Sequence, residues 1–391
     1  MIFNRNILEL ARKYLYSEET LIFTGARQVG KTVILKTLKS DLEKKGEKTY
    51  FFNLEDPDYL KLLDESPKNL FKIVPFSNNI KTYVFIDEIQ YLAKPTTFIK
   101  YIFDEHSSKI KLIVSGSSAF YLDKKFKDSL AGRKKIFDVR TLSFREFLYF
   151  KGQNKFLNLD FNKLSLIETD GLKMSFEEFV IYGGYPKVVL TEDTNEKIEI
   201  LRELAYSYIK KDIYEAGIKQ EDNFYRFFKI LSMQVGNLVN SSELANGLGI
   251  SKTAVDNYLY VMEKSFHISR VKPLFKNVRK ELIKMPKIHF LDLGLRNFFA
   301  NNFSQFEFRT DKGMFFENII YKLLLDKYGK DEIKFWRTQD GKEIDFVLDE
   351  QKIAFEAKAK FRKNKFKIFK ENYPEIKVNT IAFEDCWKIL A

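Results

Sequence analysis

Three short runs within the first 150 residues are apolar at almost every position. They are Leu21–Phe23, Tyr83–Ile86 and the run KIKLIV, which Ser115 follows. Continuously apolar runs of this length are typical of strands that are buried on both faces of a parallel sheet. The first run leads, through a short loop, into the segment VILKTL, whose apolar positions have helical spacing. The pattern therefore predicts an α/β core over residues 1–150, built on a parallel sheet.

In the middle of the chain the apolar positions have helical spacing. The segment NEKIEILRELAYSYIKKDIYEAGI has one apolar stripe, made of Ile198, Leu201, Ala205, Tyr208 and Ile209. Ahead of it, residues 152–171 have the composition of a polar surface loop, and Gly183, Gly184 and Pro186 predict a turn. Residues 151–222 are therefore predicted to form a mainly helical segment.

A helix-turn-helix pattern comes next. Ser242–Leu248 and Lys252–Lys264 have helical spacing on either side of a short turn at Gly249, and a strand is predicted from Phe266 to Val271. This order predicts a winged helix over residues 223–290, an arrangement that docks on DNA.

The polarity of this segment leaves its role open. The second helix is predicted to expose Lys252, Thr253, Asp256, Asn257 and Tyr260 and to bury Val255, Leu259 and Met262. Because the exposed side carries an acid and few bases, phosphate contacts are expected from the basic wing, which contains Lys272, Lys276, Arg279 and Lys280. The alternative is a winged helix that only packs between domains.

Strict alternation marks the last segment, residues 291–391. GKEIDFVL and KIAFEAKA each have the period of two that half-buried strands show. They predict a hairpin closed around Glu350 and Gln351, in which Leu348 lies opposite Ile353. Ile344, Phe346 and Leu348 are expected to share one face.

Composition narrows the class of protein. The chain has 391 residues, and its net charge of +12 suggests either an anionic partner such as nucleic acid or simply a solvated basic surface. One cysteine, Cys386, excludes an intramolecular disulfide framework and a cysteine-based zinc site. No apolar run is long enough for a membrane span, and MIFNRNILEL lacks the features of a signal peptide. We therefore expect a cytoplasmic protein without a membrane partner.

The loop after the first apolar run has the spacing of a phosphate-binding loop. Gly25, Gly30, Lys31 and Thr32 fit the pattern G-x-x-x-x-G-K-[ST] between a strand and a helix. In such a loop backbone N–H groups at the helix N-terminus face the phosphates of ATP, with Lys31 on the β- and γ-phosphates and Thr32 on Mg²⁺. The sequence thus predicts an ATP site at this loop.

Carboxylates at the end of the second apolar run complete this prediction. Asp87 is expected to bind Mg²⁺, and Glu88 to orient or activate the attacking water. Ser115, at the end of the third run, either senses the γ-phosphate or belongs to a plain polar turn. Arg133 and Arg145 are each either surface residues or arginine fingers that act in trans, and Arg133 is the better candidate because Gly132 precedes it.

These signatures together resemble a known family. TGARQVGKT, VFIDEIQ, LIVSGSS, LAGRKKIFDVRTLSFREF and YGGYPKVV are similar, in this order, to segments of bacterial and archaeal AAA+-type ATPases. In that family an ATPase domain precedes a C-terminal domain of unknown function with a nuclease-like fold. The resemblance implies an α/β ATPase core and a helical lid formed by residues 151–222. It leaves the physiological role open. A homo-oligomer formed through the ATPase domain is a further expectation.

The predicted hairpin gathers charged residues on one face. Its register places Asp345 opposite Glu356, with Lys358 on the same side. Two carboxylates this close repel each other unless a divalent cation such as Mg²⁺ or Mn²⁺ lies between them. Glu317 lies in the apolar stripe of the preceding helix and is a third candidate ligand. The alternative is a hairpin with ordinary cross-strand ion pairs, such as Glu343 with Lys358.

Glu317, Asp345, Glu356 and Lys358 also resemble the PD-(D/E)XK nuclease pattern of a helix glutamate, a strand aspartate and E-x-K on the next strand. The resemblance implies an α/β nuclease-like C-terminal domain in which Lys358 assists catalysis. Two main hypotheses follow from the whole chain. The first is an ATP-hydrolysing enzyme that binds or cuts DNA, and the second is a nucleotide-dependent switch or scaffold with an inactive nuclease-like domain. A signalling ATPase without a nucleic-acid partner is a third.

Overall fold

The computed structural model describes residues 5–75, 81–116, 130–218, 220–275, 285–357 and 366–390. The chain divides into two compact units. The first consists of Met1–Arg140 and Lys264–Phe266, and the second of Thr141–Glu263 and His267–Ala391. The first unit overlaps the predicted core at residues 1–150, and most of the three later predicted segments lies in the second unit. The predicted domain boundaries themselves stay a prediction.

A five-stranded parallel sheet forms the centre of the first unit. Its strands are β1 (Thr20–Thr24), β2 (Lys48–Asn53), β3 (Thr82–Asp87), β4 (Ile110–Gly116) and β5 (Lys134–Asp138), in the order β2-β3-β4-β1-β5. Its helices are α1 (Asn6–Arg12), α2 (Lys31–Glu43), α3 (Pro57–Glu65), α4 (Leu70–Ile73) and α5 (Pro95–His106). Strands β1, β3 and β4 are buried along their whole length, as their apolar sequences predict. The predicted α/β core with a parallel sheet is confirmed.

The second unit contains helices followed by a mixed sheet. Its helices are α6 (Phe144–Phe150), α7 (Leu166–Tyr182), α8 (Pro186–Leu190), α9 (Thr194–Glu215), α10 (Glu221–Met233), α11 (Ser241–Leu248), α12 (Lys252–Lys264), α13 (Leu293–Ala300), α14 (Lys312–Tyr328) and α15 (Lys367–Asn372). Its strands are β6 (Ile268–Pro273), β7 (Lys287–Phe290), β8 (Lys334–Arg337), β9 (Glu343–Leu348), β10 (Ile353–Ala357) and β11 (Lys377–Ile381). No helix in the described part of the chain is long and apolar enough to cross a bilayer.

One six-stranded sheet runs through the second unit in the order β11-β10-β9-β8-β6-β7. β6 and β7 pair antiparallel, as the wing of a winged helix would, but β6 also pairs parallel with β8. The sheet therefore crosses the predicted boundary at residue 290. The strands after α12 and those after α14 share a single hydrogen-bonded structure.

Part of the predicted surface loop at residues 152–171 is helical instead. α7 begins at Leu166, and Ser165 and Glu168 form a reciprocal capping box at its start. Two N–H groups that would otherwise lack partners at the helix N-terminus are thereby satisfied. The prediction of a continuous loop was wrong because the polar residues belong to the helix start.

The sides of β9 also differ from those predicted. Lys334 of β8 pairs with Val347, whereas Trp336 pairs with Ile344, so β9 has one extra residue between these two pairs. Such a β-bulge turns the following side chains to the other face. Ile344 accordingly packs with Val347 and Ala354 rather than with Phe346 and Leu348.

Two glycines bring α7 and α13 into backbone contact. Gly183 ends α7 with a φ of 79°, and the Gly184 N–H donates to Asp292 Oδ2 at 2.9 Å. A Cβ on Gly294 would lie 1.9 Å from the Tyr182 carbonyl oxygen. The predicted turn at Gly183 and Gly184 thus joins two helices that are more than 100 residues apart in the sequence.

Candidate functional site

The loop between β1 and α2 has the geometry of an anion site. Lys31 is the first residue of α2, and Gly30 before it has a φ of 96°, which is the left-handed region that favours glycine. Among the described residues beyond its chain neighbours, the nearest atom to the place that a Gly30 Cβ would take is Arg5 Nη1, at 4.0 Å. The N-terminus of α2, where N–H groups lack helical acceptors, is therefore open to an anion.

Gly25 is needed for a different reason. The Val139 N–H donates to the Thr24 carbonyl at 2.6 Å, which draws the segment after β5 against the start of the loop. A Cβ on Gly25 would lie 2.1 Å from the Val139 carbonyl oxygen. The close approach that requires this glycine is therefore to Val139, besides any approach to phosphate.

Lys31, Thr32, Asp87 and Ser115 meet at the carboxyl ends of β1, β3 and β4, as predicted. Lys31 is buried, and its Nζ donates to the carbonyls of Gly25 at 3.0 Å and Ala26 at 2.7 Å. Thr32 Oγ1 donates to Asp87 Oδ2 at 2.6 Å, while the Ser115 hydroxyl donates to Asp87 Oδ1. Ser115 therefore orients the carboxylate that Thr32 faces, a role that its sequence position alone left open.

Glu88 has a left-handed backbone, with a φ of 58°. Its N–H donates to Ser115 Oγ at 3.2 Å, and its carboxylate accepts from the Gln90 amide. A non-glycine residue in this conformation costs free energy, and such strain is concentrated at functional sites. This left-handed conformation turns the chain sharply after Asp87. Glu88 therefore stays at the carboxyl ends of the strands, where the phosphate-binding loop lies.

Arg133 lies at the amino ends of the strands, opposite the phosphate-binding loop. It precedes β5, its carbonyl accepts from the Thr20 N–H at 2.9 Å, and its Nε pairs with Asp104 Oδ1 at 2.5 Å. The loop follows Thr24, at the opposite end of β1. Arg133 is therefore remote from the nucleotide site of its own chain, and an action in trans stays a prediction.

Arg145 is a structural residue of the second unit. Its guanidinium donates to the carbonyls of Leu157 at 3.0 Å and Leu390 at 3.1 Å and lies 4.4 Å from the Phe161 ring centre. Burial lowers the pKa of this guanidinium. These contacts explain why an arginine occupies this position without a role in phosphate binding.

Sequence reasoning missed Arg5, which is buried beside the phosphate-binding loop. Its Nη1 donates to the Val29 carbonyl at 2.9 Å, and its Nη2 to the Arg140 carbonyl at 2.8 Å. The guanidinium thus ties the loop to the segment after β5. A lone arginine ahead of a short helix carries no signal of this contact.

The C-terminal hairpin forms in the predicted register. Leu348 pairs with Ile353 and Phe346 with Phe355, and Asp345 and Glu356 follow directly after the second pair. Asp345 Oδ2 accepts the Ala357 N–H at 2.8 Å, so the carboxylate replaces a backbone acceptor next to the bulge. Lys358 lies outside the described residues.

A lysine that sequence reasoning missed lies among the predicted metal ligands. Lys287, on β7, is buried, and its Nζ pairs with Glu317 Oε1 at 2.8 Å and with Glu343 Oε1. Glu317 Oε1 also lies 3.3 Å from His289 Nε2. The ammonium therefore bridges carboxylates from α14 and β9. We call Lys287, His289, Glu317, Glu343, Asp345 and Glu356 the acidic cluster.

The cluster shifts the pKa values of its members. Burial raises the pKa of the Asp345 carboxyl well above its ordinary range, and the charges of Glu317 and Glu356 raise it further. Burial opposes the charge of Lys287, but Glu317, Glu343 and Asp345 outweigh it and raise the pKa of the ammonium. Burial likewise raises the pKa of Glu317, yet Lys287 and His289 reverse the shift and lower it.

The residues of the acidic cluster do not fit a divalent cation in this arrangement. Within the described ranges, no three His, Cys, Asp or Glu side chains are grouped so that they could hold a metal ion. Lys287 already supplies a positive charge to Glu317 and Glu343. Metal binding by Glu317, Asp345 and Glu356 stays a prediction.

The helix-turn-helix segment has the predicted polarity except at Tyr260, which is half-buried rather than exposed. In α12, Lys252, Thr253, Asp256 and Asn257 are exposed, while Val255, Leu259 and Met262 are buried. Asp256 accepts a hydrogen bond from Ser241 Oγ at 2.6 Å, so the one acid on this face is tied to α11. Lys272 is exposed on β6, and Lys276, Arg279 and Lys280 lie outside the described residues.

Similar proteins have been identified by sequence, without an assigned activity. An uncharacterized protein of Methanocaldococcus jannaschii is 26% identical over 377 residues, which cover 92% of this chain and 80% of that one. An uncharacterized protein of Haemophilus influenzae is 26% identical, over 89% of this chain and 84% of that one. Both matches extend over the two units.

Similarity to solved structures is remote. AMPPCP-bound DnaA from Aquifex aeolicus has a TM-score of 0.31 and 15% identity, over 65% of this chain and 86% of that one. The Aeropyrum pernix ORC2 protein in its ADP form has a TM-score of 0.37 and 12% identity, over 69% of this chain and 87% of that one. Scores of this size do not define a shared overall fold.

Three family models match successive parts of the chain. Residues 173–305 match a domain of unknown function, DUF8612, and residues 312–384 match another, DUF4143. Residues 17–148 match the AAA domain, which spans the sheet, the phosphate-binding loop and Asp87. The parallel sheet and the loop geometry agree with this match. Residues 17–148 of the chain are therefore similar to the AAA domain, over the part that contains the phosphate-binding loop.

Proposed function

We propose that this chain hydrolyses ATP and acts on DNA. The observation that carries the first part is the meeting of Lys31, Thr32, Asp87 and Ser115 at one sheet edge, in front of the N-terminus of α2. An ammonium, a hydroxyl and a carboxylate in this arrangement are the groups that ATP and Mg²⁺ require. ATP with Mg²⁺ supplies the phosphoryl group that water attacks.

Each residue has a distinct task in this proposal. Lys31 exchanges its bonds to the Gly25 and Ala26 carbonyls for bonds to phosphate oxygens. Thr32 and Asp87 would hold the cation, and the Ser115 hydroxyl fixes one oxygen of Asp87 in place. Glu88 positions the attacking water, since it follows Asp87 directly at the sheet edge.

Glu88→Gln tests this assignment. The amide keeps the size of the side chain but cannot accept a proton or hold water in the same way, so ATP turnover is expected to fall by about 10²-fold or more. Binding of a fluorescent ATP analogue should change little, because Glu88 is assigned to the attacking water and not to the phosphates. Glu105→Gln, at the end of α5, is the matched control. Unchanged turnover in Glu88→Gln would contradict the proposal.

DNA as the partner is supported by charge and by the second unit. The net charge of +12 favours an anionic partner, and α11, α12, β6 and β7 have the order of a winged helix. Lys252 and Asn257 are exposed on α12, and Lys272 is exposed on β6. These side chains are suited to phosphate contacts rather than to base readout.

Lys272→Ala is expected to weaken binding of duplex DNA several-fold. Loss of one phosphate contact should also lower the slope of log affinity against log salt by about one. Fluorescence anisotropy across a salt series measures both. Lys163→Ala is the control, because Lys163 is an exposed lysine of the same unit outside the helix-turn-helix segment. Equal effects of the two variants would show that only net charge matters.

A second candidate is a nucleotide-dependent switch whose nuclease-like domain does not cut. The pairing of Lys287 with Glu317 and Glu343 favours it, because the acids that a catalytic metal needs already have a counter-ion. Metal-dependent cutting of duplex, single-stranded or branched DNA that Asp345→Ala abolishes would favour the nuclease instead. An arginine finger from Arg133 in a homo-oligomer remains a prediction in either case.

A further inference from the structure

We propose that Lys287 is the built-in cation of the acidic cluster and takes the place that a divalent metal holds in a nuclease. This inference goes beyond the proposed function, since it concerns the C-terminal site and does not depend on ATP hydrolysis. It is carried by the position of one side chain. Lys287 Nζ lies 2.8 Å from Glu317 Oε1 and also contacts Glu343, so it bridges carboxylates from two elements.

Three carboxylates of the cluster, those of Glu317, Glu343 and Asp345, each already accept at least one other donor. Glu317 Oε1 accepts a hydrogen bond from Lys287 Nζ and lies 3.3 Å from His289 Nε2. Glu343 Oε2 accepts from Arg337 Nη1 at 3.0 Å, while its other oxygen contacts Lys287. Asp345 Oδ2 accepts the Ala357 N–H at 2.8 Å. A metal ion would have to displace several of these donors at once.

Lys287 is also held in place by its surroundings. Its side chain is only 2% exposed, and it lies on β7, within the six-stranded sheet. The Gly236 N–H donates to the Ile288 carbonyl at 2.9 Å, which brings the segment before α11 against β7. A Cβ on Gly236 would lie 2.8 Å from Glu317 Oε2, so this segment also packs on the carboxylate.

Charge then decides what the cluster binds. A fixed ammonium repels a divalent cation a few ångströms away. It also pairs with Glu317 and Glu343, and the free energy needed to remove its water has already been spent when the protein folds. If Lys287 were replaced by an uncharged side chain of similar size, the same carboxylates would be left uncompensated. Carboxylates in that state take up Mg²⁺ or Mn²⁺.

Lys287→Met is therefore expected to create a metal site, because Glu317 and Glu343 lose the ammonium that holds them and can turn toward a shared ion. In nucleotide-free protein, Mn²⁺ binding followed by electron paramagnetic resonance should show one more bound ion in Lys287→Met than in the wild type. The affinity at the cluster should rise at least tenfold. The added site should disappear in Lys287→Met combined with Asp345→Ala, which separates it from any binding at Thr32 and Asp87.

Two controls address charge and packing. Lys287→Arg keeps the positive charge and should gain no ion. Lys322→Met removes another buried lysine of the second unit, which pairs with the single carboxylate of Asp326 at 2.9 Å, and should gain none either. A gain in Lys322→Met equal to that in Lys287→Met would overturn the proposal.

The wild-type protein provides a test that needs no lysine variant to fold. No Mn²⁺ that depends on Asp345 is expected to bind up to about millimolar concentration, a weak affinity by the usual scale. A wild-type Mn²⁺ site that Asp345→Ala removes, or Mn²⁺-dependent DNA cutting with the same dependence, would overturn the assignment. Loss of ATP turnover in any variant bears on the nucleotide site alone.

Discussion

Lys31→Ala is expected to abolish measurable ATP turnover and to weaken binding of ATP. Lys31 is the one ammonium seated inside the loop, within hydrogen-bond distance of the Gly25 and Ala26 carbonyls. Without it the β- and γ-phosphates lose a charge-assisted donor, and charge that develops during phosphoryl transfer is less stabilised. Removal of one such donor typically lowers turnover by about 10²–10³-fold.

The matched control is Lys39→Ala. Lys39 lies on the same helix, but it is paired with Glu43 on the surface at 2.5 Å. Loss of an exposed ion pair changes stability little, so turnover should stay at the wild-type level. Turnover by Lys31→Ala that equals that of Lys39→Ala would remove the ATPase assignment. A coupled assay of ADP release with each purified full-length variant measures the difference.

The nucleotide site was predictable because its signals are local. Gly25, Gly30, Lys31 and Thr32 belong to one loop, and the apolar strand before it fixes where the loop starts. Asp87 and Ser115 were placed by one further rule, that parallel strands end at a shared edge. Arg5 was not predictable, because its contacts to Val29 and Arg140 exist only once β5 lies beside β1.

The C-terminal site shows where sequence reasoning reaches its limit. Alternation within two adjacent strands gave the register of the hairpin correctly, since neighbouring strands need only a turn. The side of Ile344 was wrong because the bulge depends on pairing with β8. Lys287 was missed because β7 is more than 50 residues away from the hairpin. Counting only the acids on the hairpin and on α14 therefore overlooked the lysine that pairs with two of them.

Gly294→Ala is the second change with a large expected effect. A Cβ there would lie 1.9 Å from the Tyr182 carbonyl oxygen, 2.3 Å from its carbon and 2.9 Å from the Gly183 nitrogen. All three atoms are backbone, so no side-chain rotation relieves the overlap. α7 and α13 would have to separate, and the bond from Gly184 to Asp292 would be strained or lost.

We expect this variant to lose about 3 kcal/mol or more of stability in the second unit. Tryptophan fluorescence during urea unfolding reports this unit, because Trp336 and Trp387 both lie in it and the chain has two tryptophans. Gly247→Ala is the matched control, since nothing lies within 4 Å of its Cβ position in α11. Alanine in place of an exposed helical glycine should instead stabilise the unit by up to about 1 kcal/mol. Opposite signs from one chemical change would show that the glycine at 294 serves the helix contact, whereas equal midpoints for the two variants would refute the close approach of α7 and α13.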